Sequence, residues 1–200
     1  MPALQYPLDL RFRLIALAPR IHVSDAAGTE RMFIHQKTFA LKEDILVYNS
    51  SNKNNVIFRI RADRIIDFSA TYRFYQGEGE QLLGAVKRKG MRSLWRATYL
   101  IDNPNGQTTH HIKEDNPWIK IWDGLLPDIL SGFFFHPSYT VFRGENREDE
   151  SNPVMTLKKK SGLFEGRYGI ELKVPDLPQN EEIAALLALI MLVQLERRRG

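Results

Sequence analysis

The chain has 200 residues, of which 43% are hydrophobic and 26% are charged, and its formal net charge is +4. This length fits one large domain or two small ones, and we expect a single domain over residues 1–200. The positive charge is a weak bias towards anionic partners such as phospholipid headgroups or nucleic acid. Because the chain contains no cysteine, disulfides, thiolate metal sites and a cysteine nucleophile are excluded.

The pattern of the first residues predicts a strand and not a signal peptide. Leu8, Leu10 and Phe12 alternate with Asp9 and Arg11, which is the two-residue period of a half-buried strand. The same charges interrupt any apolar run of the kind that an export signal needs. We therefore expect a cytoplasmic protein, one that works at the inner face of the membrane if it binds lipid.

Alternating patterns continue along the chain and are separated by polar turns. These turns contain glycine, asparagine, aspartate and proline, the residues that turn geometry favours. In chain order they are "SDAAGTE", "NSSNKNN", "QGEGEQ", "DNPNGQ" and "RGENREDESNP". With the early strand and a late alternating run at 168–174, the pattern predicts about twelve antiparallel strands. Closure into a barrel is expected, because it leaves no exposed sheet edges.

The C-terminal segment predicts a helix that is apolar on every side. From Ile183 to Leu195 only Gln194 is polar, so this helix has no solvent face. At about 1.5 Å per residue it spans roughly 20 Å, against about 30 Å for the hydrocarbon core of a bilayer. We expect it to lie inside the barrel, which would be too wide for its own side chains to fill. A membrane tail anchor and an oligomer core are the alternatives.

Several passages resemble one branch of the tubby C-terminal-like superfamily, the LURP-one-related and phospholipid scramblase-like proteins. They include "DAAGTERMFIHQK", "HIKEDNPW", "LKKKSGLFEGRYGIEL" and the terminal "EEIAALLALIMLVQLERRRG". The resemblance implies a closed antiparallel barrel around a hydrophobic C-terminal helix. It also implies contact with lipid, since tubby relatives bind phosphoinositides at basic residues on the barrel surface and scramblases act at membranes. The cysteine-rich segment, the proline-rich N-terminal extension and a clear acidic calcium loop of scramblases are missing.

The strongest basic cluster lies in "VKRKGMRSLWR", where five cations surround a glycine turn and a tryptophan. They are Lys87, Arg88, Lys89, Arg92 and Arg96. Such a cluster can hold a phosphate while the aromatic ring sits at a lipid interface. The alternative is a solvated hairpin tip. Residues 158–160, three consecutive lysines, form a second basic stretch, which can likewise be a phosphate-binding cluster or a solvated hairpin tip.

One stretch departs from the strand pattern, in "DNPWIKIWDGLLPDILSGFFFHPSY". Asn116 can cap a helix whose first turn holds Pro117, so we expect one or two short helices followed by an apolar loop. Its large aromatic residues are a candidate patch for a protein partner, with a covering layer on the barrel as the alternative. They are Trp118, Trp122, Phe133, Phe134 and Phe135.

No pattern predicts a metal, a cofactor or catalysis. His110 and His111 are adjacent in a strand and so point to opposite faces, which is poor geometry for binding one metal ion. We interpret both as polar residues on the protein surface. The common nucleophile, phosphate-binding and zinc-protease motifs are absent. We therefore expect a binding module and not an enzyme.

The ligand class that we expect first is an anionic phospholipid or phosphoinositide headgroup on a basic barrel surface. A protein-interaction scaffold that uses the aromatic patch and a scramblase-like membrane protein are the alternatives. A basic sheet with aromatic side chains can also bind single-stranded nucleic acid, which we rank below lipid because no nucleic-acid motif is present.

Overall fold

A computed structural model describes residues 3–13, 20–36, 44–64, 70–79, 81–88, 98–115, 138–160 and 165–197 of the chain. These ranges contain twelve strands and one helix. In chain order they are β1 Leu8–Arg13, β2 Arg20–Ser24, β3 Glu30–Gln36, β4 Asp44–Tyr48, β5 Val56–Ala62, β6 Thr71–Gln76, β7 Gln81–Arg88, β8 Thr98–Asp102, β9 Thr108–Glu114, β10 Ser138–Arg143, β11 Pro153–Lys160, β12 Glu165–Leu172 and α1 Gln179–Arg197.

The strands form a closed antiparallel meander. Each strand pairs with its neighbours in the sequence, and β1 pairs with both β2 and β12. In β1 the side chains of Leu8, Leu10 and Phe12 are buried inside, while Asp9 and Arg11 lie on the outer surface. The prediction of a closed barrel of about twelve antiparallel strands is confirmed.

Side-chain hydrogen bonds stabilise the predicted turns. In the β8–β9 turn, the side-chain oxygen of Asn103 accepts hydrogen bonds of 3.0 Å from the N–H groups of both Asn105 and Gln107. In the β2–β3 turn, one carboxylate oxygen of Asp25 accepts from the N–H groups of Ala27 and Thr29. These bonds satisfy backbone donors that the sheet leaves unpaired, which is why asparagine and aspartate mark such turns in the sequence.

The helix α1 lies in the barrel interior. Its side chains from Ala184 to Gln194 are buried all round, and they form one apolar cluster with the inward-facing residues of the strands. The helix extends beyond the predicted Ile183–Leu195 by one turn at its N-terminal end. Enclosure of the apolar helix by the rest of the chain is therefore confirmed. No helix among the described residues is both long and apolar enough to cross a membrane.

Gly84 allows β7 and β8 to approach closely at the point where α1 meets the barrel wall. A Cβ atom at this position would stand 2.6 Å from the carbonyl oxygen of Asp102 and 3.9 Å from the Cβ atom of Ala184. A side chain there would collide with the backbone of β8, so the strand needs glycine at this point. The distance to Ala184 is an ordinary van der Waals contact, which places the start of the helix against β7.

Leu186 tests the position of the helix. Its side chain is fully buried, whereas Leu195 near the end of the same helix is only partly buried. We expect Leu186→Ala to lower the free energy of unfolding by about 2–5 kcal/mol, because it leaves a cavity in a packed core. Leu195→Ala, the matched control, should cost clearly less. Urea denaturation of both variants measures the difference, and equally small losses would contradict a helix in the core.

Candidate anion-binding surface

Three cationic side chains converge on the carboxylate of Asp9 on the outer surface of the barrel. Arg11 Nε donates to Asp9 Oδ2 at 2.5 Å, and Arg167 Nε and Lys160 Nζ each donate to Asp9 Oδ1 at 3.0 Å. The cations stay accessible to solvent, with side-chain exposures of 54%, 40% and 44% respectively. Three positive charges around a single carboxylate leave an excess of positive charge that faces outward.

The strand register explains this convergence. Lys160 of β11 lies opposite Arg167 of β12, which in turn lies opposite Arg11 of β1, and residues in such register point to the same face. Asp9 is two residues from Arg11 and therefore also points outward. Gly169 lies opposite Asp9, and a Cβ atom there would meet Lys160 Cε at 2.7 Å. The lysine side chain thus crosses over this glycine to reach the carboxylate.

The three cations keep Asp9 ionised. Burial on its own raises the pKa of this carboxyl, but the hydrogen bonds from the surrounding cations outweigh burial and lower the pKa to about 2. The carboxylate therefore remains charged at every physiological pH. It acts as a fixed counterion that holds the three cations close together despite their mutual repulsion.

Two further lysines enlarge the positive region. Lys158 is exposed on β11 next to this group, and Lys173 follows β12, where its Nζ lies 2.6 Å from a carboxylate oxygen of Glu171. We call this region the basic face; its members are Asp9, Arg11, Lys158, Lys160, Arg167, Glu171 and Lys173. It holds five cations against two carboxylates, so it carries net positive charge.

Aromatic side chains border the basic face on β2, β3 and β4. Arg11 is in register with His22, His22 with Phe33, and Phe33 with Tyr48. The rings of His22 and Phe33 meet edge to face with their centroids 4.9 Å apart, and Lys53 Nζ lies 5.7 Å from the Phe33 centroid. One row of side chains on the outer face of the sheet thus runs from cations to rings, and within it the Phe33 ring is covered by its neighbours and only 3% exposed.

The structure describes only two members of the basic cluster that the sequence singled out. Lys87 lies at the end of β7, where its Nζ contacts Asp102 Oδ2 at 2.5 Å, so its charge is already paired within the barrel wall. Arg88 is the last residue of the same strand and is partly buried. Lys89, Arg92 and Arg96 lie outside the described residues.

The predicted partner patch is outside the described part of the chain altogether. This concerns Trp118, Trp122, Phe133, Phe134 and Phe135, together with the short helices expected after Asn116. The aromatic partner patch and the short helices therefore both remain predictions.

Anchoring contacts at the N-terminal end of α1 were not foreseen. The Tyr6 hydroxyl donates to Glu182 Oε1 at 2.9 Å, and Arg143 donates to Glu181 Oε2 at 3.1 Å. Burial, assisted by the charge of Glu182, raises the pKa of Tyr6 well above its usual range, so the hydroxyl remains a donor. These two glutamates thus attach the helix to the barrel wall.

The prediction that the two histidines of β9 lie on the protein surface is wrong. The exposures of His110 and His111 are 1% and 0%, so both are buried. His110 Nε2 lies 3.3 Å from Glu181 Oε2 of the helix. His111 stacks on Phe142 with centroids 5.3 Å apart, and its Nδ1 lies 2.9 Å from the carbonyl oxygen of Gly144. The two rings do belong to different environments, as strand alternation requires.

The architecture defines a class of protein, the twelve-stranded antiparallel barrel built around a hydrophobic C-terminal helix. Within this class the sequence identifies the family. The family model described as LURP-one-related matches residues 30–185, which is most of the chain. The protein therefore belongs to the LURP-one-related family, and the resemblance seen in the sequence is confirmed.

A solved structure supports the same fold. The X-ray structure of a protein from Arabidopsis thaliana matches with a TM-score of 0.54 and 14% sequence identity, covering 96% of this chain and 93% of that one. At this identity the likeness concerns the fold alone. A sequence search of curated proteins found no match.

Buried His110 should make the stability of the protein depend on pH. Burial lowers its pKa; the carboxylate of Glu181 opposes this, the charges of Arg143 and His111 add to it, and the net shift is downward. The ring is therefore neutral when folded but takes up a proton on unfolding below about pH 6.5. The stability that it contributes is fully present above that pH and is lost as the pH falls towards the lowered folded pKa.

We expect urea denaturation to give a lower free energy of unfolding at about pH 5.5 than at about pH 7.5. His110→Gln should reduce this difference. His22→Gln, at the half-exposed histidine of the outer surface, is the control and should leave it in place. An unchanged difference in the His110 variant would mean that this histidine does not carry the pH dependence.

Proposed function

We propose that the protein is a non-enzymatic binding module that recognises anionic phospholipid headgroups with the basic face. The observation that carries the proposal is the convergence of Arg11, Lys160 and Arg167 on Asp9, within a surface that has five cations and two carboxylates. A phosphate that approaches this surface meets several donors that the barrel already holds together, so little side-chain entropy is lost on binding.

Phospholipid is favoured over a small soluble anion by the shape of the basic face. Its cations are spread along three neighbouring strands on the outside of a barrel and do not line a closed pocket. Such a surface can meet several headgroups at once, and each cation near an anionic membrane contributes about 1 kcal/mol. At the end of the neighbouring aromatic row, the partly exposed Tyr48 is the type of side chain that suits the interfacial region of a bilayer.

The double variant Lys158→Gln, Lys160→Gln tests the proposal. Loss of two cations should weaken binding to vesicles of phosphatidylcholine mixed with phosphatidylserine by about thirtyfold, while binding to pure phosphatidylcholine is weak for both proteins. Co-sedimentation at several vesicle concentrations gives the affinities. The matched control is Arg73→Gln, Arg147→Gln, which removes two exposed cations away from the basic face and should have little effect.

Equal binding by the wild-type protein and the lysine variant would overturn the basic face as the site. A third variant, Arg88→Gln, Lys89→Gln, Arg92→Gln, removes three of the five cations of the cluster that the sequence favoured. If only this variant loses binding, the protein binds anionic lipid through that cluster. If the wild-type protein does not bind the mixed vesicles at all, the proposed function fails.

Asp9→Asn provides a test in the opposite direction. Removing the central negative charge increases the net positive charge of the basic face, so affinity for the mixed vesicles should rise by about fivefold. The same change should lower the thermal stability, because three cations lose their shared counterion. If stability falls while vesicle affinity stays constant, the ion pairs around Asp9 serve only the fold.

A further inference from the structure

A cleft of about 850 Å³ opens at the end of the barrel where α1 begins. Its walls come from the β2–β3, β4–β5 and β6–β7 hairpins and from the first turns of the helix. Its volume lies in the range that is common for small-molecule sites, about 300–1,000 Å³.

The start of the helix carries both the anchoring contacts and part of the cleft wall. Glu181 is bound to Arg143 of β10, and Glu182 is bound to Tyr6 just before β1. Gln179 and Ile183 line the cleft together with the β4–β5 and β6–β7 hairpins. The next residue, Ala184, already contacts β7 at Gly84, so the cleft is bounded where helix and strand meet.

The rim of the cleft is rich in carboxamide groups. Five exposed side chains of this type line it, and none of them makes a side-chain hydrogen bond to another described residue. They are Asn49, Asn55, Gln76, Gln179 and Asn180. Because a carboxamide offers both a donor and an acceptor, such a rim matches ligands that carry hydroxyl groups, which also do both.

The two charged residues of the lining are already satisfied within the protein. The carboxylate of Glu30 lies 2.6 Å from His22 Nδ1 and accepts from the N–H of Ser51 at 2.7 Å. The Nε of Arg31 donates at 2.6 Å to Asp25, whose side chain is 0% exposed. The described lining residues hold one carboxylate and one guanidinium, so this part of the lining has no net charge. A charged ligand would lose hydration without a free counterion, so an uncharged ligand is favoured.

Apolar side chains form the floor of the cleft. Ile57, Leu83 and Ile183 are partly buried hydrophobic residues that pack against the barrel core while lining the cleft. Burial of an apolar group against them is favourable at roughly 25 cal/mol per Å². A ligand that fits therefore has an apolar part for the floor and hydroxyl groups for the rim.

We propose that this cleft binds an uncharged, hydroxyl-rich small amphiphile of the alkyl glycoside type. The site is independent of the basic face and needs no anionic group on the ligand. The apolar part contacts Ile57, Leu83 and Ile183, and the hydroxyl groups exchange hydrogen bonds with the carboxamides of the rim. This chemistry differs from that of the proposed headgroup surface, so the two proposals can fail separately.

Titration of the full chain with hexyl β-glucoside, below its micelle concentration, tests the site. In two-dimensional amide NMR we expect saturable shifts at Ile57, Gly77 and Ile183, with no shift at Arg11 or Arg167. Shifts confined to other parts of the barrel, or shifts that do not saturate, would overturn the proposal. Hexyl phosphate is the charged comparison and should bind more weakly; equal or tighter binding of hexyl phosphate would overturn an uncharged ligand.

Two neighbouring asparagines provide a matched pair of variants. Asn55 lines the cleft, whereas Asn54 is exposed in the same turn outside it. Asn55→Asp removes a donor and adds a charge at the rim, so it should weaken hexyl β-glucoside binding by about fivefold or more. Asn54→Asp makes the same chemical change beside the cleft and should not weaken binding. Equal affinities of these two variants would contradict the site.

A second variant acts on the floor. Leu83→Trp should occlude the cleft and abolish binding, and its thermal melting shows whether the barrel still folds. If this variant does not fold, the comparison of Asn55→Asp with Asn54→Asp decides, because both changes are at exposed positions. Undiminished binding by a folded Leu83 variant would show that the ligand lies elsewhere.

Discussion

An apolar helix without a polar face has to be enclosed, and this requirement organises the rest of the structure. The side chains of α1 from Ala184 to Val193 leave no direction that water could contact favourably. A sheet that only covered one side would leave most of the helix exposed. The twelve strands wrap it completely, and the helix in turn fills an interior that strand side chains could not fill. Barrel and helix are therefore complementary halves of one core.

A filled interior limits where the protein can bind anything. The inward side chains of the strands are committed to the helix, so the outer wall and the two barrel ends are the surfaces that remain for ligands. On the wall, strand alternation points the residues between core positions outward, as it does for Asp9 and Arg11 within β1. At the end where α1 begins, the first turns of the helix and the neighbouring hairpins enclose the cleft.

The fold could be predicted because its signals are local. Strand period, turn residues and an all-apolar helix can each be read within about ten residues of sequence. The basic face could not be predicted in the same way, because Asp9 and Arg167 are 158 positions apart and meet only where the barrel closes. Lysines 158 and 160 stood out as a basic stretch, but their convergence with β1 depends on the β11–β12–β1 register.

The histidines and Lys87 illustrate a related limit. Alternation correctly separates His110 from His111, yet whether each is buried depends on what packs there, Glu181 in one case and Phe142 in the other. Lys87 looked like a free cation because its partner, Asp102, lies on the adjacent strand, 15 positions further along the chain. A charge in a sequence is a candidate for binding only after its cross-strand neighbours are known.

The basic face and the cleft meet at the β2–β3 hairpin. His22 is in register with Arg11 at the border of the basic face, and its ring nitrogen is hydrogen-bonded to Glu30, which lines the cleft. Glu30 also holds the N–H of Ser51 in the β4–β5 turn, so this one carboxylate joins two hairpins of the cleft wall to the aromatic row. The hydrogen bond between His22 and Glu30 thus connects the two surfaces within the barrel wall, although their proposed ligands differ in charge.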